Sequence, residues 1–139
     1  MKLDQLKSAV IGLVLGTTND FNTAIAGEFY YVENPLDYDK VKYPYGVYQF
    51  VSGSVDRDTA TKFDEIIMQV TIYDDNSSSS NVTALGNKFD ALFDECEASL
   101  TLTNYIVLGV DQISEPREMK TLNGNWQWSK DYKIQLQRN

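Results

Sequence analysis

Carboxylates are the residues with the plainest route to chemistry. Asp74-Asp75 and Asp94-Glu95 are adjacent pairs, and two carboxyl groups flanking a sugar run acid and base steps when one of them is desolvated. Adjacent residues on a strand end or a helix point apart, and both pairs sit among polar neighbours, so the spacing reads as solvated surface. Asp74-Asp75-Asn76-Ser77 offers oxygen ligands but lacks the alternating spacing, central glycine and closing glutamate of a calcium loop. No metal is expected. The sequence contains no histidine, which removes the commonest general base and the partner that would make Cys96 a thiolate nucleophile. Cys96 is the sole cysteine; it forms no internal disulfide and falls on an apolar stripe, where a buried thiol is expected. Glycines occur singly, with no phosphate-cradling loop and no dinucleotide fingerprint. Asn81-Val82-Thr83 matches a glycosylation acceptor, but Lys2, Asp4 and Lys7 interrupt the N-terminal apolar pattern and no secretory signal is expected. No catalytic residue, metal or cofactor is assigned.

The elements that would position any site form one domain, 1–139, by size and by the lack of a linker or composition shift. A net charge of −8 argues against wrapping a phosphate backbone, and no apolar run reaches the ~20 residues of a membrane span. Leu3, Leu6, Val10, Leu13 and Val14 predict an amphipathic helix ending near Gly16, followed by a short turn carrying Phe21, Ala24 and Ile25. Phe29–Val32 reads as a strand, 33–44 as an exposed connection, and Val47–Val51 as a second strand. The polar stretch Gly53–Asp64 reads as a mobile loop that orders on contact with a neighbour. Ile66, Met68, Val70 and Ile72 alternate as a third strand. Val82, Leu85, Phe89, Leu92, Phe93, Cys96 and Leu100 mark the strongest helix. Ile106–Val110 and Trp126–Leu136 alternate as two further strands, with turn chemistry at Leu122–Asn125 and only Lys130 breaking the last apolar face. The expected class is α+β: a mixed or mainly antiparallel β-sheet of about five strands, two main helices on one face.

Two features point outward. Nine tyrosines, six phenylalanines and two tryptophans exceed what a core of this size obviously needs, and Tyr30, Tyr31, Tyr38, Tyr43, Tyr45 and Tyr48 cluster around the exposed connection. They read equally as interface and as strand packing. Charge is also uneven: Arg117, Lys120, Lys130, Lys133 and Arg138 face only Glu118 and Asp131 near the C-terminus, whereas the second helix carries Asp90, Asp94, Glu95 and Glu97. These basic and acidic surfaces attract one another within a subunit or between subunits, or form a solvated mixed surface.

The order of elements resembles the tail completion, or tail terminator, family of long-tailed bacteriophages, of the minor tail protein U type. The resemblance is carried by the helix Leu3–Leu15, the strand entry Tyr43-Pro44-Tyr45-Gly46-Val47 and the strand Ile67–Tyr73. The polar break, the helix Leu85–Leu92 and the final paired strands continue it over nearly the whole chain. It implies a structural virion protein, made in the bacterial host cytoplasm and located at the head-proximal end of the tail. There it closes into a homo-oligomeric ring, commonly a hexamer, ends tail-tube growth and joins the tail to the head connector. The implied partners are further copies of the chain, the tail-tube protein and connector proteins. DNA passes through the lumen without specific binding, and no membrane is involved.

Interface candidates are Tyr38, Tyr43 and Tyr45 on the connection, Asp56, Arg57, Asp58 and Lys62 in the polar loop, Asp90 and Asp94 on the acidic helix, and Lys130 and Lys133 on the basic hairpin. The competing readings are another head-tail connector or a small binding module, and, last, a carboxylate-dependent hydrolase.

Overall fold

The computed structural model describes residues 2–56 and 63–138. Helix α1 (Lys2–Leu15) buries Leu6, Val10, Leu13 and Val14 and leaves Leu3 exposed, contrary to the expected stripe. Its last carbonyls would be orphaned, and the next residues satisfy them: Thr17 Oγ1 donates to Leu13 O at 2.6 Å and Asn19 Nδ2 to Val14 O at 3.0 Å. The same Asn19 accepts from the Asn22 N–H at 2.7 Å as the N-cap of α2 (Asp20–Ile25). One side chain therefore fixes the angle between the two helices, and Phe21 and Ile25 enter the core.

Strand β1 (Phe29–Tyr31) lies parallel to the start of β2 (Tyr45–Asp56), which forms a long antiparallel hairpin with β3 (Phe63–Asp74). The register runs from Tyr45 opposite Tyr73 to Asp56 opposite Phe63. The described residues of the expected loop Gly53–Asp64, 53–56 at one end and 63–64 at the other, are thus strand. Backbone ladders continue through polar side chains because the hydrogen bonds are made by the peptide groups. The connection 57–62 lies outside the described residues, and so does the expectation of mobility there.

Helix α3 (Ser80–Phe93) buries Val82, Leu85, Phe89 and Phe93 on one side. It ends earlier than its apolar stripe. Glu95 adopts φ 57° and its N–H donates to Val110 O on the neighbouring strand at 3.0 Å, so the chain leaves the helix while Cys96 and Leu100 remain buried beyond it. Asp94 is the C-cap, and Glu95 and Glu97 lie past the helix.

Strand β4 (Tyr105–Gln112), β5 (Arg117–Lys120) and β6 (Trp126–Arg138) complete a sheet of six strands, one more than expected. The order is β1-β2-β3-β6-β4, with β5 also on β6. The turn at Leu122–Asn125 joins β5 to β6, not β4 to β6. β4 pairs with the second half of β6, from Tyr105 opposite Arg138 to Gln112 opposite Tyr132, while β5 takes the first half. The β1–β2 pair is parallel and the others antiparallel, so the sheet is mixed and the class α+β.

One face of this sheet carries the core. Tyr48, Ile66, Met68, Val70, Ile72, Trp128, Tyr132, Ile134 and Leu136 point to the helices. Phe21 and Phe89 meet edge to face at 5.0 Å, Phe89 stacks on Phe93 at 5.2 Å, and Phe93 meets Tyr132 at 5.1 Å. Much of the aromatic surplus is therefore core packing. Gly86 sits where α3 crosses the Trp128 indole, and a Cβ there would overlap the ring.

Candidate assembly surface

The charged candidates sort by what they already touch. Lys130 lies on the core side of β6, only 5% exposed, and its Nζ reaches Asp90 Oδ1 at 2.8 Å. Tyr132 OH donates to the same oxygen at 2.8 Å. Asp90 and Lys130 thus neutralise each other inside the subunit, because a buried ammonium needs a counter-charge and α3 supplies it one layer away. Arg117 pairs with Asp131 at 3.4 Å, and Arg138 with the buried Asp64 at 3.6 Å. Of the basic C-terminal residues, Lys120 and Lys133 make no ion pair with any described residue. Asp94 accepts from Gln112 Nε2 at 3.4 Å.

Tyr43, Tyr45 and Tyr73 form a ladder at one end of the sheet, with ring centroids 5.4 Å and 5.0 Å apart. Asn125 Nδ2 donates to Tyr43 OH at 3.0 Å and ties the β5–β6 turn to this ladder. Burial first, then the neighbouring Tyr43 and Tyr73, pushes the Tyr45 hydroxyl up to about 12. Tyr38 belongs to a 3-10 turn, Tyr38–Lys40, within the exposed connection. Asp56 is the last residue of β2, while Arg57, Asp58 and Lys62 lie outside the described residues. Lys133 stands on the face away from the helices, opposite Ile67 and Asp111. Among the described residues, the candidates therefore do not converge on one patch.

The carboxylate pairs do not converge either. Asp74, expected in solvent, is 2% exposed and accepts from Asn81 Nδ2 at 2.8 Å, because β3 keeps its inward alternation through its last residue. Asp75 is exposed beside it. Burial pushes the Cys96 thiol up to about 12, which is the reverse of nucleophile activation. Among the described residues, no three His, Cys, Asp or Glu side chains are grouped to hold a metal ion, and no helix is long and apolar enough to cross a membrane.

Sequence reasoning missed two open edges. Strand β1 reaches only as far as Tyr48 on β2, so among the described residues no strand flanks β2 from Gln49 onward. β4 is flanked only by β6, and its Ile106 and Leu108 are 50% and 44% exposed. Unpaired edges template the addition of another strand. These edges lie on opposite sides of the sheet, and the face away from the helices, with Val47, Gln49, Gln69, Thr71 and Ser129, carries none of α1–α3. An alternating pattern reveals which face is buried but not which strand stands at an edge, so no signal in the sequence marks them.

The geometry defines a small mixed sheet, helices on one face, with two flanks that no strand of the described residues covers. The same architecture occurs in a chain from the virion of a native gene transfer agent particle, with a TM-score of 0.73 and 9% sequence identity over 95% of this chain and 97% of that one. At that identity the likeness establishes the fold. No protein-family model and no curated protein matches the chain.

Proposed function

We propose that the chain is a structural virion protein of tailed-phage type that forms a ring at the head-proximal end of the tail tube. The ring ends tube polymerisation and joins the tail to the head connector. The observation that carries this reading is the fold match to a virion chain across nearly the full length of both, in line with the element order described from the sequence. The two open edges on opposite flanks support it, because a head-to-tail ring needs two different complementary surfaces on each copy. The net charge of −8 suits a channel through which DNA passes without adhering. The role is one of assembly, without catalysis, and it uses the chain as a single domain.

Electron microscopy of the concentrated protein, alone and with tail tubes, tests this proposal. Rings in solution or caps on tube ends support it; particles that stay monomeric with tubes present contradict it. Rings that bind connector but leave tube length unchanged would favour the second reading, a connector without terminator activity.

A further inference from the structure

At the end of the sheet where Tyr45, Tyr73 and Gln127 stand side by side, the two flanks have opposite relief. On the β5 flank, the turn to β6 carries Leu122 fully exposed. Thr121 N–H donates to Asn125 O at 2.7 Å, Gly124 N–H to Thr121 O at 2.9 Å, and the Asn125–Tyr43 bond braces the turn from below. An apolar side chain on a turn held this way loses little freedom on docking. On the β1 flank lies a groove of about 340 Å³ in which Val32, Leu36, Val41, Tyr45, Val47 and Tyr73 share the wall with the polar Glu33 and Asn34. A turn at Val32 opens it: Glu33 N–H donates to Tyr31 O at 2.9 Å and Val32 takes φ 72°, a strained conformation for a β-branched residue. Leu36 is then held by its N–H on Asn34 Oδ1 at 2.9 Å, with its side chain half exposed.

We propose that neighbouring copies of this chain dock by seating Leu122 of one in the Val32–Leu36–Tyr45 groove of the next. The proposal rests on the ring reading and deepens it. Rotation about a ring axis preserves height along that axis, so in a ring whose axis runs along the strands, with copies joined flank to flank, a projection and a groove at the same end of the sheet meet. Charge agrees: Lys120, two residues before Leu122, and Glu33 in the groove are exposed, opposite in sign and without an ion pair to another described residue. The contact is heterologous, so each copy offers both surfaces and the contacts run on from copy to copy, forming a ring where the rotation between neighbours closes.

Thiol cross-linking tests it with the whole chain, because the one native thiol, Cys96, is buried. A short bismaleimide should join Leu122→Cys to Leu36→Cys when the two variants are mixed, giving dimers only, while either variant alone stays uncross-linked and the double variant gives a ladder up to ring size. Lys120→Glu and Glu33→Lys should each weaken ring assembly by on the order of fivefold, and the charge-swapped double variant should recover it. If wild-type rings form but the mixture does not cross-link, or Leu122→Cys joins to itself or to a tube or connector protein, this contact is wrong and the ring reading stands. If neither rings nor cross-links appear at high concentration or on tubes, both fall together.

Discussion

Lys130 Nζ sits 2.8 Å from Asp90 Oδ1, joining the fourth turn of α3 to the centre of β6 beneath the helix. Tyr132 OH shares that oxygen, so the carboxylate satisfies two buried donors at once. Removing Asp90 strands an ammonium and a phenol, whereas removing Lys130 leaves a carboxylate that is 30% exposed and still hydrogen-bonded. Asp90→Ala should therefore cost roughly 3 kcal/mol or more, and Lys130→Met about 1 kcal/mol. Urea unfolding of both variants checks this; equal costs would mean that the pair is not the pin described.

Two glycines in helices should respond oppositely to the same change. Gly86 faces the buried Trp128 ring, so Gly86→Ala should destabilise by about 1–3 kcal/mol through overpacking. Gly12 in α1 has open space where a Cβ would stand, and Gly12→Ala should stabilise by roughly 0.5–1 kcal/mol. Thermal melts of the two variants provide the comparison, and a Gly86→Ala variant as stable as the wild type would contradict the packing of α3 on β6.

Alkaline pH should unfold the chain through its buried phenols. Burial pushes Tyr45 and Tyr48 up to about 12 and raises Tyr73, and burial with the Asp90 hydrogen bond raises Tyr132 further. In the unfolded chain these groups ionise near their usual value of 10.0. The unfolded state then holds fewer protons than the native state, so the stabilisation is complete below about pH 10 and is lost as pH rises through about 12. The urea midpoint should fall over that window, with tyrosinate absorbance appearing later in the folded protein than in urea. A midpoint unchanged between pH 9 and 12 would contradict the assignment.

Much of the fold was legible where apolar period and burial agree. Ile66 to Ile72, the α3 stripe and Trp128 to Leu136 each show the face they bury. Three features were not. The polar ends of the β2–β3 hairpin are strand because a partner strand completes their ladder. Strand β5 is short and exposed throughout, so it has no apolar pattern to read. Lys130 looked like an interruption of the β6 face because its counter-charge is 40 residues away in sequence. The charged candidates show the same limit: sequence separates charge by sign, but only packing tells that Lys130 and Asp90 have each other as partners inside the subunit.

The central claim, that this chain ends tail-tube growth, is tested most directly by the length distribution of tails assembled without it, measured by electron microscopy. The account predicts tubes that overrun the normal length and fail to join filled heads, with both defects corrected when the purified protein is supplied during assembly. Tubes of normal, uniform length joined to filled heads in its absence would contradict it.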